Sequence, residues 1–195
     1  MSEQVKVSLY QQQKAVKPLV EDIIPEILDG DMKKNALDFV THIRENKIKP
    51  AWVLTNQWKA NYKGRCICKI ILKQDCWTSN DSWIVAAWLE NINEYEDIII
   101  NENLQDLVWD NVYYCVHKPA GSPSGAKIQH ALKYPCNLWN CAPGKNIMLC
   151  GKELTNICRN SNRQYFWFHD PSQSDLDGIK RLLELEQKAR EKAKQ

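Results

Sequence analysis

The sequence predicts an α+β domain, in which helices flank an antiparallel sheet of about four strands and a cysteine-rich loop forms an ordered excursion. Apolar residues recur at helical intervals between about residues 11 and 47 and again between about 173 and 193. From Gln57 they alternate every second residue instead, as they do in strands. Adjacent strands placed between helices favour α+β, and a length of 195 residues suits a single domain over residues 1–195.

The composition is typical of a folded globular protein, with 44% hydrophobic and 26% charged residues. Eight Trp bring large rings to bury, which argues against disorder. The formal net charge of +2 supplies no strong field for a nucleic acid or a membrane surface, so we expect a small molecule or a protein as partner. The N-terminal residues lack the apolar stretch of a secretory signal, and a cytoplasmic location is expected.

Two helices are predicted in the N-terminal part. The apolar residues between Gln11 and Leu28 suit one helix with Pro18 in its first turn, while Pro25 leaves the position of its end open. The second helix is capped by Asp31. Its apolar stripe consists of Met32, Ala36, Phe39, Val40 and Ile43.

A β-hairpin is predicted where the period changes to two. Its first strand has two faces, with Trp58, Ala60 and Tyr62 on one and Lys59 and Asn61 on the other. Lys63-Gly64 forms the turn, and the second strand runs from Arg65 to Lys73. The apolar run from Trp83 to Leu89 is short enough to be a third strand.

The second half of the chain is predicted to contain two helices and one strand. A helix follows Asn103, and the segment from Lys118 to Gly125 holds two Pro, two Gly and two Ser, a composition that indicates a loop. The run from Tyr165 to His169 suits a last strand, and a closing amphipathic helix covers about residues 173–193.

Two cysteines lie on the second strand of the predicted hairpin. Cys66 and Cys68 are two residues apart, so both side chains should share the core-facing side with Ile70 and Leu72. We interpret them as packing residues, because free Cys is among the most buried residue types. The alternative is that the pair binds a soft metal.

The cysteine-rich loop covers about residues 115–158 and holds five thiols: Cys115, Cys136, Cys141, Cys150 and Cys158. Cys136 and Cys141 have four residues between them, a spacing found in one half of a tetrahedral zinc site. Further candidate ligands are His117 and His130. We predict a structural zinc ion held by Cys115, Cys136, Cys141 and Cys158, with Cys150 as the alternative to Cys158. The alternative interpretation is that these thiols fill small gaps around Trp139 and Trp167.

A thiol-dependent enzyme is an alternative function. Cys141 or Cys158 near Lys145, Lys152 or Arg159 would be a nucleophilic thiolate. Such a site also needs a base, and no local signature places a His beside either thiol.

The Gly-Lys turns in this region do not form a phosphate loop. That loop needs a Gly five positions before Gly151, where Asn146 stands, and a hydroxyl residue after Lys152, where Glu153 stands. Nucleotide hydrolysis is therefore excluded, and we interpret Gly144-Lys145 and Gly151-Lys152 as tight turns between short strands.

Aromatic residues concentrate in the predicted sheet. Trp58 and Tyr62 share a strand face, which makes them candidates for a ligand cavity, although a Trp on a strand more often covers the core. The candidate ligand-binding residues are Trp58, Tyr62, Trp83, Lys145 and Lys152. Basic residues alternate along the hairpin as Lys59, Lys63, Arg65, Lys69 and Lys73. This pattern also suits single-stranded nucleic acid, but the near-neutral total charge argues against it.

Several segments together resemble a family of small uncharacterised bacterial proteins. They are K-P-x-W at Lys49 to Trp52, W-K-x-x-Y-K-G at Trp58 to Gly64, C-x-P-G-K at Cys141 to Lys145, G-K-E at Gly151 to Glu153, and Cys158. The resemblance covers about Asp31 to Lys188 and implies a helix, a hairpin, a cysteine loop and a final amphipathic helix. It implies no activity and no functional residue. The chain departs from the family in the insertion from Lys118 to Lys133.

The function that the sequence predicts is binding. A small ligand or a protein partner would be recognised by the aromatic sheet face or by the cysteine loop, in which a structural zinc ion is predicted. The alternatives are the thiol-dependent enzyme and a protein-interaction module that works through the helices.

Overall fold

The computed structural model describes residues 7–73, 81–114, 144–158 and 165–193. Within these ranges the chain forms six α-helices and seven β-strands. The helices are α1 (Leu9–Val16), α2 (Val20–Ile27), α3 (Gly30–Glu45), α4 (Glu96–Asn101), α5 (Gln105–Asn111) and α6 (Gln173–Lys192). The strands are β1 (Lys49–Leu54), β2 (Gln57–Tyr62), β3 (Arg65–Leu72), β4 (Trp83–Trp88), β5 (Lys145–Leu149), β6 (Lys152–Ile157) and β7 (Tyr165–His169).

In the described part of the chain, five strands form one antiparallel sheet in the order β1-β2-β3-β4-β7, and β5 pairs with β6 as a separate hairpin. This confirms the α+β prediction. The sheet has one strand more than expected because β1 pairs with β2. β1 lies at an edge of the sheet. Pro50 has no backbone N–H, and an edge strand tolerates a proline because one of its sides has no partner strand.

The predicted hairpin and the predicted third and last strands are confirmed as β2–β3, β4 and β7. Lys63 and Gly64 both have positive φ angles, 48° and 81°, as a two-residue hairpin turn with the twist of its strands requires. The helix predicted after Asn103 is α5. The loop predicted from Lys118 to Gly125 lies outside the described residues.

A β-bulge interrupts the pairing of β2 with β3. Ala60 pairs with Cys68, whereas Asn61 pairs with Cys66, so Ile67 is an additional residue on β3. Because neighbouring residues of β2 face opposite sides of the sheet, Cys66 and Cys68 also face opposite sides. The prediction that both thiols share the core face was therefore wrong for Cys66, since the inserted residue breaks the period of two.

The N-terminal helices differ from the prediction in where they begin and end. Lys17 has a left-handed backbone (φ 48°) and lies between α1 and α2, so the single helix expected here is two. Pro18 explains the break, because a proline disfavours the helical conformation of the residue before it. The N-cap of α3 is Asp29, and Asp31 lies in the first turn, where its negative charge favours the helix dipole. Among the helices of the described residues, none combines the length and the apolarity needed to span a membrane.

One face of the sheet packs against the helices and forms the core, and we call it the helix face. Its buried residues are Trp58, Ala60, Cys68, Ile70, Leu72, Trp83, Val85, Ala87, Phe166 and Phe168. From α3, the Phe39 ring lies 6.4 Å from the Trp83 ring, measured between centroids. A capping box between Ser172 and Asp175 starts α6, which contributes Leu176, Ile179, Leu182 and Leu183 to this core.

A polar network is buried where α6 crosses the ends of β3 and β4. The Arg190 guanidinium donates to Glu186 Oε1 at 2.7 Å and to two backbone carbonyls, those of Cys66 and Trp88, both at 3.0 Å. Glu186 also accepts hydrogen bonds from Asn91 Nδ2, the Asn91 backbone N–H and the Tyr95 hydroxyl. Burial and this carboxylate raise the pKa of Tyr95. The network joins α6 to the bulged strand.

Candidate functional site

The three aromatic residues predicted to bind a ligand lie on the helix face. Trp58, Tyr62 and Trp83 are 1%, 7% and 0% exposed. The Trp58 indole N–H donates to the Pro18 carbonyl at 2.8 Å, and the Tyr62 hydroxyl is hydrogen-bonded to Glu191 of α6. Their burial favours the interpretation that these rings cover the core. Ligand binding through them stays a prediction.

The two lysines predicted to bind an anion lie at opposite ends of the β5–β6 hairpin. Lys145 pairs with Ile157 at one end, and Lys152 pairs with Leu149 at the other. Lys152 Nζ lies 4.5 Å from the centroid of the Trp109 ring, a cation–π contact. The structure therefore does not bring Lys145 and Lys152 together in one anion site.

Of the four cysteines predicted to hold zinc, Cys158 is the one within the described residues. It is 5% exposed, and its backbone N–H donates to the carbonyl of Tyr113 at 3.1 Å. Cys115, Cys136 and Cys141 lie outside the described residues. Within the described ranges, no group of three or more His, Cys, Asp and Glu side chains could hold a metal ion. The zinc site therefore stays a prediction.

The sheet has a second face, on the side opposite the helix face. From the register, its residues are Gln57, Lys59, Asn61, Cys66, Lys69, Ile71, Ile84, Ala86, Trp88, Trp167 and His169. The side chains on β4 are buried, whereas those on β2 are half-buried and polar. The second face is therefore polar along β2, and it contains two groups of chemical interest.

The first group is a pair of lysines. Lys59 of β2 lies directly opposite Lys69 of β3, an arrangement in which the Cβ atoms of an antiparallel pair are about 5 Å apart. Both side chains are half-buried. Lys69 Nζ lies 5.6 Å from the centroid of the Trp88 ring. In the described part of the protein, neither lysine forms an ion pair with a carboxylate.

The two basic residues at the turn of this hairpin, Lys63 and Arg65, have acidic partners. Lys63 Nζ lies 2.9 Å from a carboxylate oxygen of Glu191, and Arg65 lies 3.4 Å from one of Glu90. Their charges are therefore balanced, whereas those of Lys59 and Lys69 are not balanced by any residue that the structure describes.

Asn61 lies beside the lysine pair on the same face. It is two residues from Lys59 along β2 and directly opposite Lys49 of the edge strand. Its Oδ1 atom is buried and has no hydrogen-bond donor among the described residues. We call Lys49, Lys59, Asn61, Lys69 and Trp88 the lysine site.

The second group lies at the other end of this face, where Asp81 precedes β4 and His169 ends β7. His169 Nδ1 is 3.0 Å from Asp81 Oδ2, and both side chains are 9% exposed. The Trp167 ring is stacked on the imidazole, with centroids 6.2 Å apart. Asp170 accepts hydrogen bonds from two backbone N–H groups at the start of β4, which holds the two strand ends together. A carboxylate on Nδ1 orients an imidazole and makes Nε2 its basic nitrogen.

Two open clefts flank the last turns of α6, with volumes of about 290 and 320 Å³. They share Lys188 and Glu191, and the larger one is also lined by Tyr62. Acidic and basic side chains alternate around both rims, so neither cleft presents charge of one sign to a ligand.

The alternation along β2 predicted that Lys59 and Asn61 share a strand face, but the register that pairs Lys59 with Lys69 was not predicted. Sequence reasoning also missed Asp81 and His169, which are 88 positions apart in the chain. Comparison with protein-family models, curated proteins and solved structures finds no match to this chain. The chemistry of its own residues is therefore the basis for a function.

Proposed function

We propose that this protein binds a small anionic ligand at the lysine site. The observation that supports it is the direct opposition of Lys59 and Lys69, for which the described residues supply no carboxylate. Like charges directly opposite each other on neighbouring strands destabilise a sheet. An anion between the two ammonium groups replaces this repulsion with attraction.

Repulsion between the two lysines favours an anion as ligand. Two ammonium groups on facing residues repel each other, and an anion bound between them is attracted to both. The half-buried position of Lys59 and Lys69 exposes them less to screening by salt than a fully exposed pair would be. The contact with Trp88 also limits where the Lys69 ammonium can move.

The proposal predicts that replacing both lysines removes anion binding. We expect the double variant Lys59→Gln/Lys69→Gln to bind n-propyl phosphate at least tenfold more weakly than the wild type, as measured by isothermal titration calorimetry. The control is Lys14→Gln/Lys34→Gln, which removes the same net charge from exposed positions on α1 and α3. Equal weakening in both variants would show that only the overall charge matters and would refute the site.

The thiol-dependent enzyme is a second candidate, because His169 beside Asp81 is the kind of base that the sequence alone did not supply. Cys68 and Cys150 are poor nucleophiles for such a site. Burial raises the pKa of the Cys68 thiol, and it raises the pKa of the Cys150 thiol to about 11. Of the thiols that the structure describes, Cys158 is the one that the sequence analysis proposed as a nucleophile.

Alkylation by iodoacetamide at pH 8, followed by peptide mapping, tests this candidate. We expect Cys68 and Cys150 to react at least about 100-fold more slowly than in the guanidinium-unfolded chain, because burial raises the pKa of both thiols. With a pKa of about 11, the Cys150 thiol is roughly 0.1% ionised at this pH. A fast reaction of Cys158 that His169→Asn slows would support the enzyme. If Cys158 were alkylated as slowly as the two buried thiols, the thiol-dependent enzyme would be ruled out.

A further inference from the structure

We propose that the ligand of the lysine site is a small phosphomonoester with a hydroxyl group near its phosphate, as in a sugar phosphate. This inference rests on the proposed function and names its ligand class. Three features of the site carry it: the number of unbalanced charges, the buried Asn61 oxygen and the limited extent of the basic surface.

The number of charges favours a phosphomonoester. Lys59 and Lys69 present two facing positive charges, and a phosphomonoester carries about −1.5 to −2 at pH 7. A carboxylate or a phosphodiester carries one negative charge and would leave one ammonium unbalanced. The exposed Lys49 of β1 adds a third ammonium at the rim, which further favours a dianion.

The Asn61 side chain favours a hydroxyl group on the ligand. A buried acceptor without a donor costs about 1–3 kcal/mol, and natural proteins keep few of them. Asn61 Oδ1 is such an acceptor among the described residues, and it lies on the same face as Lys59 at a distance of about 7 Å between Cα atoms. Because Oδ1 is not accessible to solvent, the Asn61 amide has to turn toward the lysines to meet a ligand. A ligand whose phosphate lies between the lysines, with a hydroxyl two or three bonds away, would then reach it.

The extent of the basic surface favours a small molecule over a nucleic acid. A single-stranded nucleic acid needs a positively charged track that follows several phosphates. Toward the hairpin turn the track ends, because Lys63 is paired with Glu191 and Arg65 with Glu90. The Trp88 side chain is 6% exposed, so its ring face offers no open platform for a base.

Two probes of equal length separate the hydroxyl from the phosphate. Glycerol 3-phosphate and n-propyl phosphate differ by two hydroxyl groups, and both are titrated into the wild type and Asn61→Leu at pH 7.5. We expect the wild type to bind glycerol 3-phosphate about tenfold more tightly, the size of one good hydrogen bond. In Asn61→Leu we expect this ratio of the two affinities to fall to about one.

The outcomes distinguish this inference from the proposed function. Equal affinities for the two phosphates in the wild type would overturn the hydroxyl contact and leave anion binding intact. If neither phosphate binds, both proposals fail. Tighter binding of an oligothymidylate than of either phosphate at physiological salt would overturn the small-molecule class. Asn61→Asp keeps the acceptor but adds a negative charge. It should weaken the binding of both phosphates and preserve the preference for glycerol 3-phosphate. This variant tests the hydroxyl contact even if Asn61→Leu does not fold.

Discussion

Replacing Arg190 with alanine is expected to lower the free energy of unfolding by about 3–5 kcal/mol, the cost of removing one partner from a buried ion pair. The Arg190 and Glu186 side chains are 5% and 0% exposed. Without the guanidinium, the buried Glu186 carboxyl group loses its positively charged partner. The carbonyl groups of Cys66 and Trp88 also lose their donor.

Urea denaturation followed by tryptophan fluorescence measures this change. The control is Arg181→Ala, on the same helix. Arg181 pairs with Glu102 at 2.6 Å, but its side chain is 31% exposed. An exposed pair of this kind contributes below about 1 kcal/mol. If the two variants lost equal stability, the buried network would not have the role assigned to it.

The second large effect is expected from replacing Trp58 with phenylalanine, with Trp83→Phe as its matched control. Both indoles are buried on the helix face, and both changes remove the same atoms. The Trp58 N–H donates to the Pro18 carbonyl, whereas the Trp83 N–H has no partner among the described residues. We expect Trp58→Phe to cost about 1–3 kcal/mol more, because it leaves a carbonyl unpaired while Trp83→Phe removes an unpaired donor.

Denaturant midpoints of the two variants, compared at equal m-values, measure the difference. Trp58→Tyr is a useful additional variant, because it keeps a polar group on the ring but places it differently from the indole N–H. A Trp83→Phe variant that is as unstable as Trp58→Phe would mean that cavity formation outweighs hydrogen bonding at both positions.

Much of the fold follows from local patterns. Period-two alternation, together with the glycine needed at positive φ in the turn, predicted β2 and β3, and the 3.6-residue period predicted α3 and α6. The extra strand β1 was missed because Pro50 argues against a strand, and only its place at a sheet edge makes that proline acceptable. The break between α1 and α2 was missed because the apolar pattern continues across Lys17 and Pro18.

The lysine site shows where local patterns stop being sufficient. A two-residue turn at Lys63-Gly64 with regular pairing would place Lys59 opposite Cys68. The bulge at Ile67 shifts the register by one residue and places Lys59 opposite Lys69 instead. A register shift of one residue changes which side chains lie opposite each other, and nothing in the sequence near the turn indicates this shift.

The sequence by itself determined the class of the fold, the order of most helices and strands, and the division of β2 into an apolar and a polar face. Each of these features depends on residues that are close together in the chain. Tertiary structure alone decided the bulge, which turns Cys66 to the second face while Cys68 stays in the core. The Arg190 guanidinium donates a hydrogen bond to the Cys66 carbonyl at this bulge. Tertiary structure also decided the meeting of Asp81 with His169. These contacts join distant segments, and the free energy that selects them comes from burying the core as a whole.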